Sequence, residues 1–189
     1  MASDETAPSA RRNELLEAAY RYVLAHGLAD LSLRPLAAAI GSSPRVLLYL
    51  FGSKDGLVRA LLARARSEEL ELLEQIGRGP YALEEAAGLL WDWLSDPRRR
   101  SLLRLWVEGY ARSLIDPDGP WAGFAAATVD DWLAVLATMQ DPADRDGARD
   151  RTAVLAILRG ALLDLLATGD EERVTAAVRA RLHGNQALA

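Results

Sequence analysis

The sequence contains no cysteine and only two histidines, His26 and His183. A chain without cysteine forms no disulfide, no thiolate metal site and no cysteine nucleophile, and nothing in it favours an oxidising compartment. The two histidines are far apart in the sequence, so no histidine pair has the spacing of a metal site. We therefore expect neither a metal nor a cofactor.

Sequence motifs of catalysis are also missing. The chain has no Walker loop, no G-x-G-x-x-G motif and no G-x-S-x-G motif, which removes the common phosphate loops, the dinucleotide fingerprint and the serine elbow. Asp130 and Asp131 are adjacent, so their carboxylates cannot share one helix face. We predict that the protein is not an enzyme.

Long apolar runs are absent as well. No run approaches the roughly 20 residues that are needed to cross a bilayer, and the polar residues 3–6 are unlike the start of a signal peptide. We expect a cytoplasmic protein with no membrane partner.

Charge is distributed unevenly along the chain. The net charge is −5, but residues 1–66 hold 9 Lys and Arg against 6 Asp and Glu, a local net charge of +3. Residues 67–189 hold 13 against 21, a net charge of −8. Affinity for DNA depends on local neutralisation of phosphates, so this acidic protein with a basic N-terminal part is compatible with DNA binding.

Apolar residues recur every three or four positions, as in Leu155, Leu158, Leu162 and Leu165, with no sustained alternation. Breaks rich in Gly, Pro and Asp leave about nine helical segments. The pattern predicts an all-α protein. Its first four helices are expected at residues 10–25, 33–40, 44–50 and 54–76.

The second and third of these helices have local start and stop signals. Ser32 can cap the second helix, and Pro35 lies in its first turn, where the missing N–H costs no hydrogen bond. Gly41 suits a left-handed C-cap, and Ser43 with Pro44 forms the N-cap and first position of the third helix. Two short helices joined in this way predict a helix-turn-helix, whose second helix enters the major groove of DNA.

Eight residues in and beside these two helices have a spacing that ordinary helix-turn-helix sequences do not share. They are Leu36, Ala37, Gly41, Ser43, Leu47, Phe51, Ser53 and Lys54. The most specific part is the distance from Gly41 to Phe51 and Ser53–Lys54, just before a long amphipathic segment. The pattern resembles the N-terminal motif of the TetR family of transcriptional regulators. The remainder of the chain is similar to that family only in length and number of helices.

The resemblance implies an all-α protein of two domains. A three-helix helix-turn-helix DNA-binding domain would span residues 1–53, with a tail at about 1–9, and would be joined to a larger helical-bundle ligand-binding and dimerisation domain at 54–189. The implied function is that of a repressor released from a palindromic operator by a small, largely apolar or aromatic ligand. The alternative is a DNA-binding or interaction protein of the same fold with no small-molecule ligand.

The resemblance also implies which residues face operator DNA. Arg45 is the best candidate for reading a base, because Arg forms paired hydrogen bonds with guanine, and Lys54 would lie beside a phosphate. The chain departs from the family pattern at Leu48, where an aromatic is usual, and at Arg45 and Val46, where Gly-Thr is usual. The predicted DNA-binding set is Arg34, Ser42, Ser43, Pro44, Arg45, Tyr49 and Lys54. In the alternative interpretation the cations are solvated surface charges and Tyr49 packs on the core.

All five tryptophans lie beyond residue 66, where no motif is recognisable. Trp106 and Tyr110 are four residues apart on one predicted helix face, and such side chains can line a cavity for an apolar or aromatic ligand. Large aromatics also dominate ordinary cores, so core packing is the alternative. The predicted ligand-binding set is Trp91, Trp106, Glu108, Tyr110, Trp121, Phe124, Thr128 and Trp132.

The segment 153–166 is apolar nearly all round, with only Arg159 and Asp164 charged, so it needs packing partners on more than one side. Together with the last helix it would form a four-helix contact in a homodimer through about residues 149–183, as the resemblance also implies. The alternative is a buried central helix in a monomer. A two-fold dimer would place its recognition helices about one DNA turn (~34 Å), or a multiple of it, apart, which predicts the palindromic operator. Ligand binding is expected to tilt the helix at 54–76 and change that spacing.

Overall fold

The computed structural model describes residues 6–28, 30–74, 76, 79–141 and 147–183. The predicted all-α class is confirmed, because this part of the chain has nine α-helices, one short 3-10 helix and no β-strand. The helices are α1 (Thr6–His26), α2 (Leu33–Ala39), α3 (Pro44–Phe51), α4 (Lys54–Glu74), α5 (Leu83–Ser95), α6 (Arg100–Ile115), α7 (Phe124–Met139), α8 (Gly147–Thr168) and α9 (Glu171–His183). None of these helices is both long and apolar enough for a membrane span.

The chain divides into two compact units. The first consists of residues 1–68 with 104–125, and the second of residues 69–103 with 126–189. Helices α4, α6 and α7 each contribute to both units. Of the predicted N-terminal tail, residues 1–5 lie outside the described residues, and α1 begins at Thr6. The predicted domain boundary after residue 53 stays a prediction.

Helices α1, α2 and α3 pack against one another in the first unit. Each presents apolar residues to the common core at helical spacing, which removes them from water and stabilises the unit. The buried residues of these helices include Leu15, Ala19 and Val23 of α1, Leu36 and Ala37 of α2, and Leu47 and Phe51 of α3. Leu57 and Leu61 of α4 are buried in the same unit.

The turn between α2 and α3 begins at Gly41, whose φ of +64° is the left-handed conformation predicted for this residue. The backbone N–H of Ser42 donates to the carbonyl of Ala37 at 2.8 Å, and that of Gly41 donates to Ala38 at 3.4 Å. This pair of hydrogen bonds satisfies carbonyls at the end of α2 and reverses the chain within a few residues.

Serine side chains cap the next two helices. The Ser43 hydroxyl accepts from the backbone N–H of Val46 at 3.3 Å, and the Ser53 hydroxyl accepts from that of Gly56 at 2.9 Å. One predicted cap is wrong in detail: Ser32 occupies the N-cap position of α2, but its side chain accepts no capping hydrogen bond. The side-chain oxygen of an N-cap must reach the second or third backbone N–H of the helix. In α2 the third position is Pro35, which has no N–H to donate.

Helix α6 makes a close approach within the first unit at Gly109. A Cβ atom at this position would lie 3.0 Å from a side-chain carbon of Leu62 in α4 and 3.0 Å from a ring carbon of Phe124 in α7. The missing side chain therefore lets the α6 backbone pack directly on these two neighbours.

In the second unit, α5, α8 and α9 pack pairwise. Trp91 of α5 is fully buried, and its indole Nε1 donates to the Thr175 hydroxyl of α9 at 3.0 Å. The other buried residues of this group include Leu90 of α5, Leu158 and Leu162 of α8, and Val174 and Val178 of α9.

Candidate functional site

Helix α3 has two opposite faces. Leu47 and Phe51, four residues apart, point into the core of the first unit. The opposite surface, called here the α3 face, consists of Arg45, Val46, Leu48 and Tyr49. Arg45 is exposed, and the exposed fractions are 38% for Val46, 41% for Leu48 and 81% for Tyr49. The interpretation in which Tyr49 packs on the core is therefore wrong.

The stretch of chain that contains the α3 face carries positive charge only. Residues 31–54 contain Arg34, Arg45 and Lys54 and no acidic residue. All three cationic side chains are exposed. A surface rich in cations attracts a polyanion such as DNA even when the net charge of the chain is negative, although the exposed Asp55 lies directly beside Lys54.

The other predicted DNA-binding residues lie around the start of α3 in the same unit. Ser43 and Pro44 are half-buried, and the Ser43 hydroxyl is already the helix cap. The Ser42 hydroxyl oxygen is buried without a hydrogen-bond partner among the described residues. The contacts of all seven predicted residues with DNA stay a prediction. Sequence reasoning did not select Val46 and Leu48, although the helical spacing of Leu47 and Phe51 was a usable signal for their exposure.

An ion-pair cluster joins α1 to α4 in the first unit. Arg64 of α4 lies 2.5 Å from Glu17 and 3.2 Å from Glu68, and its guanidinium is 5.0 Å from the Tyr20 ring centre. Burial, followed by the nearby charge of Glu68, raises the pKa of Tyr20, so this side chain stays neutral. The cluster ties α1 to the middle of the long helix α4.

The predicted ligand-binding residues are divided between the two units. The first unit contains Trp106, Glu108, Tyr110, Trp121 and Phe124, and the second contains Trp91, Thr128 and Trp132. Trp106 and Tyr110 share one face of α6, as their spacing predicts, and their ring centres are 5.0 Å apart. The Trp106 indole N–H is buried and has no acceptor in the part of the chain that the structure describes.

Glu108, two residues after Trp106, contacts the connection between α1 and α2. Its Oε2 atom accepts a hydrogen bond from the backbone N–H of Leu28 at 2.9 Å. Its Oε1 atom is buried and lacks a partner within the described ranges. Glu108 therefore links α6 to the helix-turn-helix region, a role that its position in the sequence did not indicate.

The second unit holds a separate aromatic cluster. Trp132 donates from Nε1 to Oε1 of Glu69 at 2.9 Å, and Glu69 is only 4% exposed. Trp93 meets Trp132 edge to face with ring centres 6.0 Å apart, and the Arg99 guanidinium lies 4.7 Å from the Trp93 ring. Sequence reasoning missed Glu69 and Trp93, because these neighbours come from different helices.

A cavity of about 210 Å³ lies between α4 and α7 in the second unit. It is lined by Leu70, Leu73, Glu74, Asp131, Ala134, Val135, Thr138 and Met139. None of the predicted ligand-binding residues is among its lining residues.

Comparison with known proteins agrees with the helix-turn-helix. The model of the bacterial regulatory proteins of the tetR family matches residues 15–61. No curated protein matches the chain with significant sequence similarity.

Several solved structures match nearly the whole chain. The multidrug binding protein EbrR, complexed with imidazole, is 30% identical over 91% of this chain and 89% of its own, with a TM-score of 0.65. A TetR-family member from Streptomyces coelicolor A3 is 28% identical over 91% of this chain and 97% of its own, with a TM-score of 0.64. A TetR transcription regulator from Haloarcula marismortui ATCC 43049 has the same fold at 20% identity, with a TM-score of 0.67 over 93% of this chain and 96% of its own.

The matching segment runs from α1 into α4 and therefore includes the turn at Gly41 and the α3 face. EbrR extends the similarity to most of the remaining helices. The chain thus belongs to the TetR family of transcriptional regulators, with its helix-turn-helix DNA-binding domain at the N-terminal end.

Proposed function

We propose that this protein is a homodimeric transcriptional repressor that binds a palindromic operator and leaves it when a small, largely apolar or aromatic ligand binds. The observation that carries the proposal is the α3 face, because it exposes Arg45 and Tyr49 on the second helix of the helix-turn-helix. A regulator of this kind acts where the DNA is, so a cytoplasmic location follows from the proposed function.

Different residues would contribute different contacts with the operator. Arg45 can form paired hydrogen bonds with the O6 and N7 atoms of guanine. Arg34 and Lys54 suit phosphates, and backbone N–H groups at the start of α3 favour an anion at the same end of the helix. Tyr49, at 81% exposure, is free to contact either the DNA backbone or a base edge.

Selection of binding sites from random duplex DNA tests this function directly. The purified protein is expected to enrich a palindrome, to bind it as a dimer and to lose affinity steeply as salt is raised, because phosphate contacts release counterions. Weak binding to every duplex with no enriched sequence would contradict the proposal.

The exposed surface of α8 and α9 supports the homodimer through about residues 149–183. One exposed stripe along these helices, called here the small-residue face, has mostly small side chains, which let helix backbones approach closely, whereas other exposed positions such as Arg149 and Arg173 are charged. The small-residue face consists of Ala153, Ala156 and Gly160 of α8, followed by the larger Leu163, and Ala176, Ala177 and Ala180 of α9. Leu163, at 51% exposure, would gain burial in such a contact. Sedimentation of the purified protein is expected to give a dimer.

Two observations support a ligand of apolar or aromatic character. EbrR is a multidrug binding protein with solved complexes of proflavin, ethidium and malachite green. In this chain Trp106 and Tyr110 form an aromatic pair, and the buried Trp106 N–H is a donor that a bound ligand could satisfy. We therefore place ligand contact first at Trp106 and Tyr110.

A regulator without a small-molecule ligand remains the second candidate. The cavity of about 210 Å³ between α4 and α7 is smaller than the roughly 300–1,000 Å³ of typical ligand sites, and a larger space of about 520 Å³ beside α1 and α2 is lined by none of the predicted ligand-binding residues. Close packing at Gly109 also leaves no room for a ligand at that point of α6.

Thermal melting of the protein without DNA separates the two candidates. Proflavin, ethidium and malachite green serve as probes, and DNA is omitted because flat cationic dyes bind duplexes directly. Ligand binding is expected to raise the melting temperature with dye concentration by mass action. An unchanged melting temperature for all three dyes would favour the ligandless regulator.

The contact of Glu108 with Leu28 supports a route for release. A ligand beside Trp106 would displace α6, and the hydrogen bond from Leu28 to Glu108 would carry the displacement to the connection between α1 and α2. The predicted tilt of α4 would act together with it. A preference of the ligand for the released conformer by a few kcal/mol is sufficient to shift the population.

A further inference from the structure

The α3 face exposes more apolar surface than hydrogen bonding to bases requires. Val46 and Leu48 are 38% and 41% exposed, although three other apolar residues of the same short helix, Leu47, Leu50 and Phe51, are buried or half-buried. Large apolar side chains that stay in contact with water on a binding surface mark a place where a partner covers them.

The geometry of the helix places these two side chains at the edges of the α3 face. At about 100° per residue, Arg45 and Tyr49 lie near the centre, opposite Leu47 and Phe51. Val46 and Leu48 are two residues apart and therefore lie on either side of that centre. Each is next to Arg45, the candidate for reading guanine.

The major groove of DNA offers one apolar group to such side chains. Its floor presents hydrogen-bond donors and acceptors, and in addition the C5-methyl group of thymine. A protein partner is a weaker explanation, because residues 31–54 carry three cations and no carboxylate, which favours a polyanion.

We propose that Val46 and Leu48 are specificity-determining residues that contact thymine methyl groups on either side of the base pair bound by Arg45. The inference rests on the proposed operator binding and adds the chemical class of the neighbouring bases. Loss of one buried methyl-sized group should weaken binding about fourfold.

Replacement of thymine by deoxyuridine tests this inference, since uracil pairs as thymine does and lacks only the methyl group. The operator selected with the wild-type protein is synthesised with each thymine replaced in turn, and dissociation constants are measured at one salt concentration. At least one replacement in each half-site is expected to weaken wild-type binding by about fourfold. Each replacement that weakens wild-type binding is expected to have no effect in one of the variants Val46→Ala and Leu48→Ala, the one that lacks the contacting side chain, and to keep its effect in the other.

Ile115→Ala is the matched control, because Ile115 is an apolar side chain of α6 that is 77% exposed. It should keep the wild-type sensitivity to deoxyuridine, and circular dichroism should give the same helical signal for all four proteins. The inference is overturned if no replacement weakens binding, or if the sensitivity persists in both α3 variants. Failure to select any operator would reject operator binding itself, and the methyl contact with it.

Discussion

The α3 face and the small-residue face of α8 and α9 differ in the size of the side chains that they present to solvent. The α3 face has a cation, a tyrosine and two large aliphatic residues within five positions. The small-residue face presents alanine and glycine, with Leu163 as the larger exception.

This difference indicates two kinds of partner. Long side chains with hydrogen-bonding ends reach into a groove, as the major groove of DNA requires. Small side chains leave a shallow surface that another helix can approach. Exposure alone therefore says little about function, and the size and charge of the exposed residues are the informative properties.

The largest expected effect comes from blocking the small-residue face. A Cβ at Gly160 would meet no atom within 4 Å in the single chain, so Gly160→Arg should fold normally. The arginine should separate the dimer and reduce operator affinity about 100-fold or more, because the second half-site no longer adds to binding. Sedimentation velocity and operator titration measure both effects.

Ala137→Arg provides the control for that experiment, since Ala137 is an exposed residue of α7 and receives the same new charge. It should remain dimeric with wild-type affinity. A dimeric Gly160→Arg protein would mean that the α8 face is not the subunit contact.

On the α3 side, Arg45→Ala should cost about 1–3 kcal/mol of operator binding and relax the preference for one base pair, because a base contact is lost. Lys54→Ala should weaken binding to all sequences alike, since a phosphate contact carries no sequence information. Titrations of the selected operator and a scrambled duplex distinguish these outcomes. Unchanged binding in both variants would remove the α3 face from the DNA contact.

A smaller effect on stability should follow from loss of the hydrogen bond between Glu108 of α6 and the backbone N–H of Leu28, which holds the connection between α1 and α2. Glu108→Ala leaves the buried N–H of Leu28 without its acceptor and should cost about 1 kcal/mol in the free energy of unfolding. It should also reduce the release of operator by a ligand. Denaturant unfolding and release assays measure the two properties.

Glu108→Gln retains an acceptor oxygen and should behave nearly as the wild type in both assays. Equal loss of release in the Gln and Ala variants would assign Glu108 to ligand contact through its charge, as the sequence predicted, rather than to the contact with Leu28.

The smallest effect concerns an exposed ion pair where α8 meets α9. Arg173 lies 2.7 Å from Asp164, and its hydrogen bonds lower the pKa of Asp164 from the ordinary value of 3.8. A carboxyl whose pKa is lowered by folding stabilises the fold above that ordinary value, and the contribution disappears as pH falls through the lowered pKa. Asp164→Asn should therefore melt slightly below the wild type at neutral pH, and the difference between the two melting temperatures should shrink as the pH falls from 3.8 through the lowered pKa.

Asp150→Asn in α8 carries the same charge change and is the control for that pH series. A constant difference between the wild type and Asp164→Asn at all pH values would contradict the assignment. The effect is expected to be small because both partners of the pair are exposed.

The sequence by itself determined the all-α class and the helix-turn-helix. Their signals are local, because Gly41 ends α2 and Ser43 begins α3 through hydrogen bonds to backbone atoms within five residues. One local prediction was wrong: Ser32 occupies the N-cap position of α2, as predicted, but its side chain forms no capping hydrogen bond. The third position of the helix is Pro35, which has no N–H to donate.

Only the tertiary structure decided what each polar group on the aromatic helices contacts. Trp91 bonds to Thr175, Trp132 to Glu69, and Glu108 to Leu28, across 84, 63 and 80 positions of sequence. Helical periodicity says that a side chain faces inward, yet it carries no information about which distant element lies opposite. The physical reason is that capping depends on a few neighbouring backbone atoms, whereas these contacts exist only after the helices have packed.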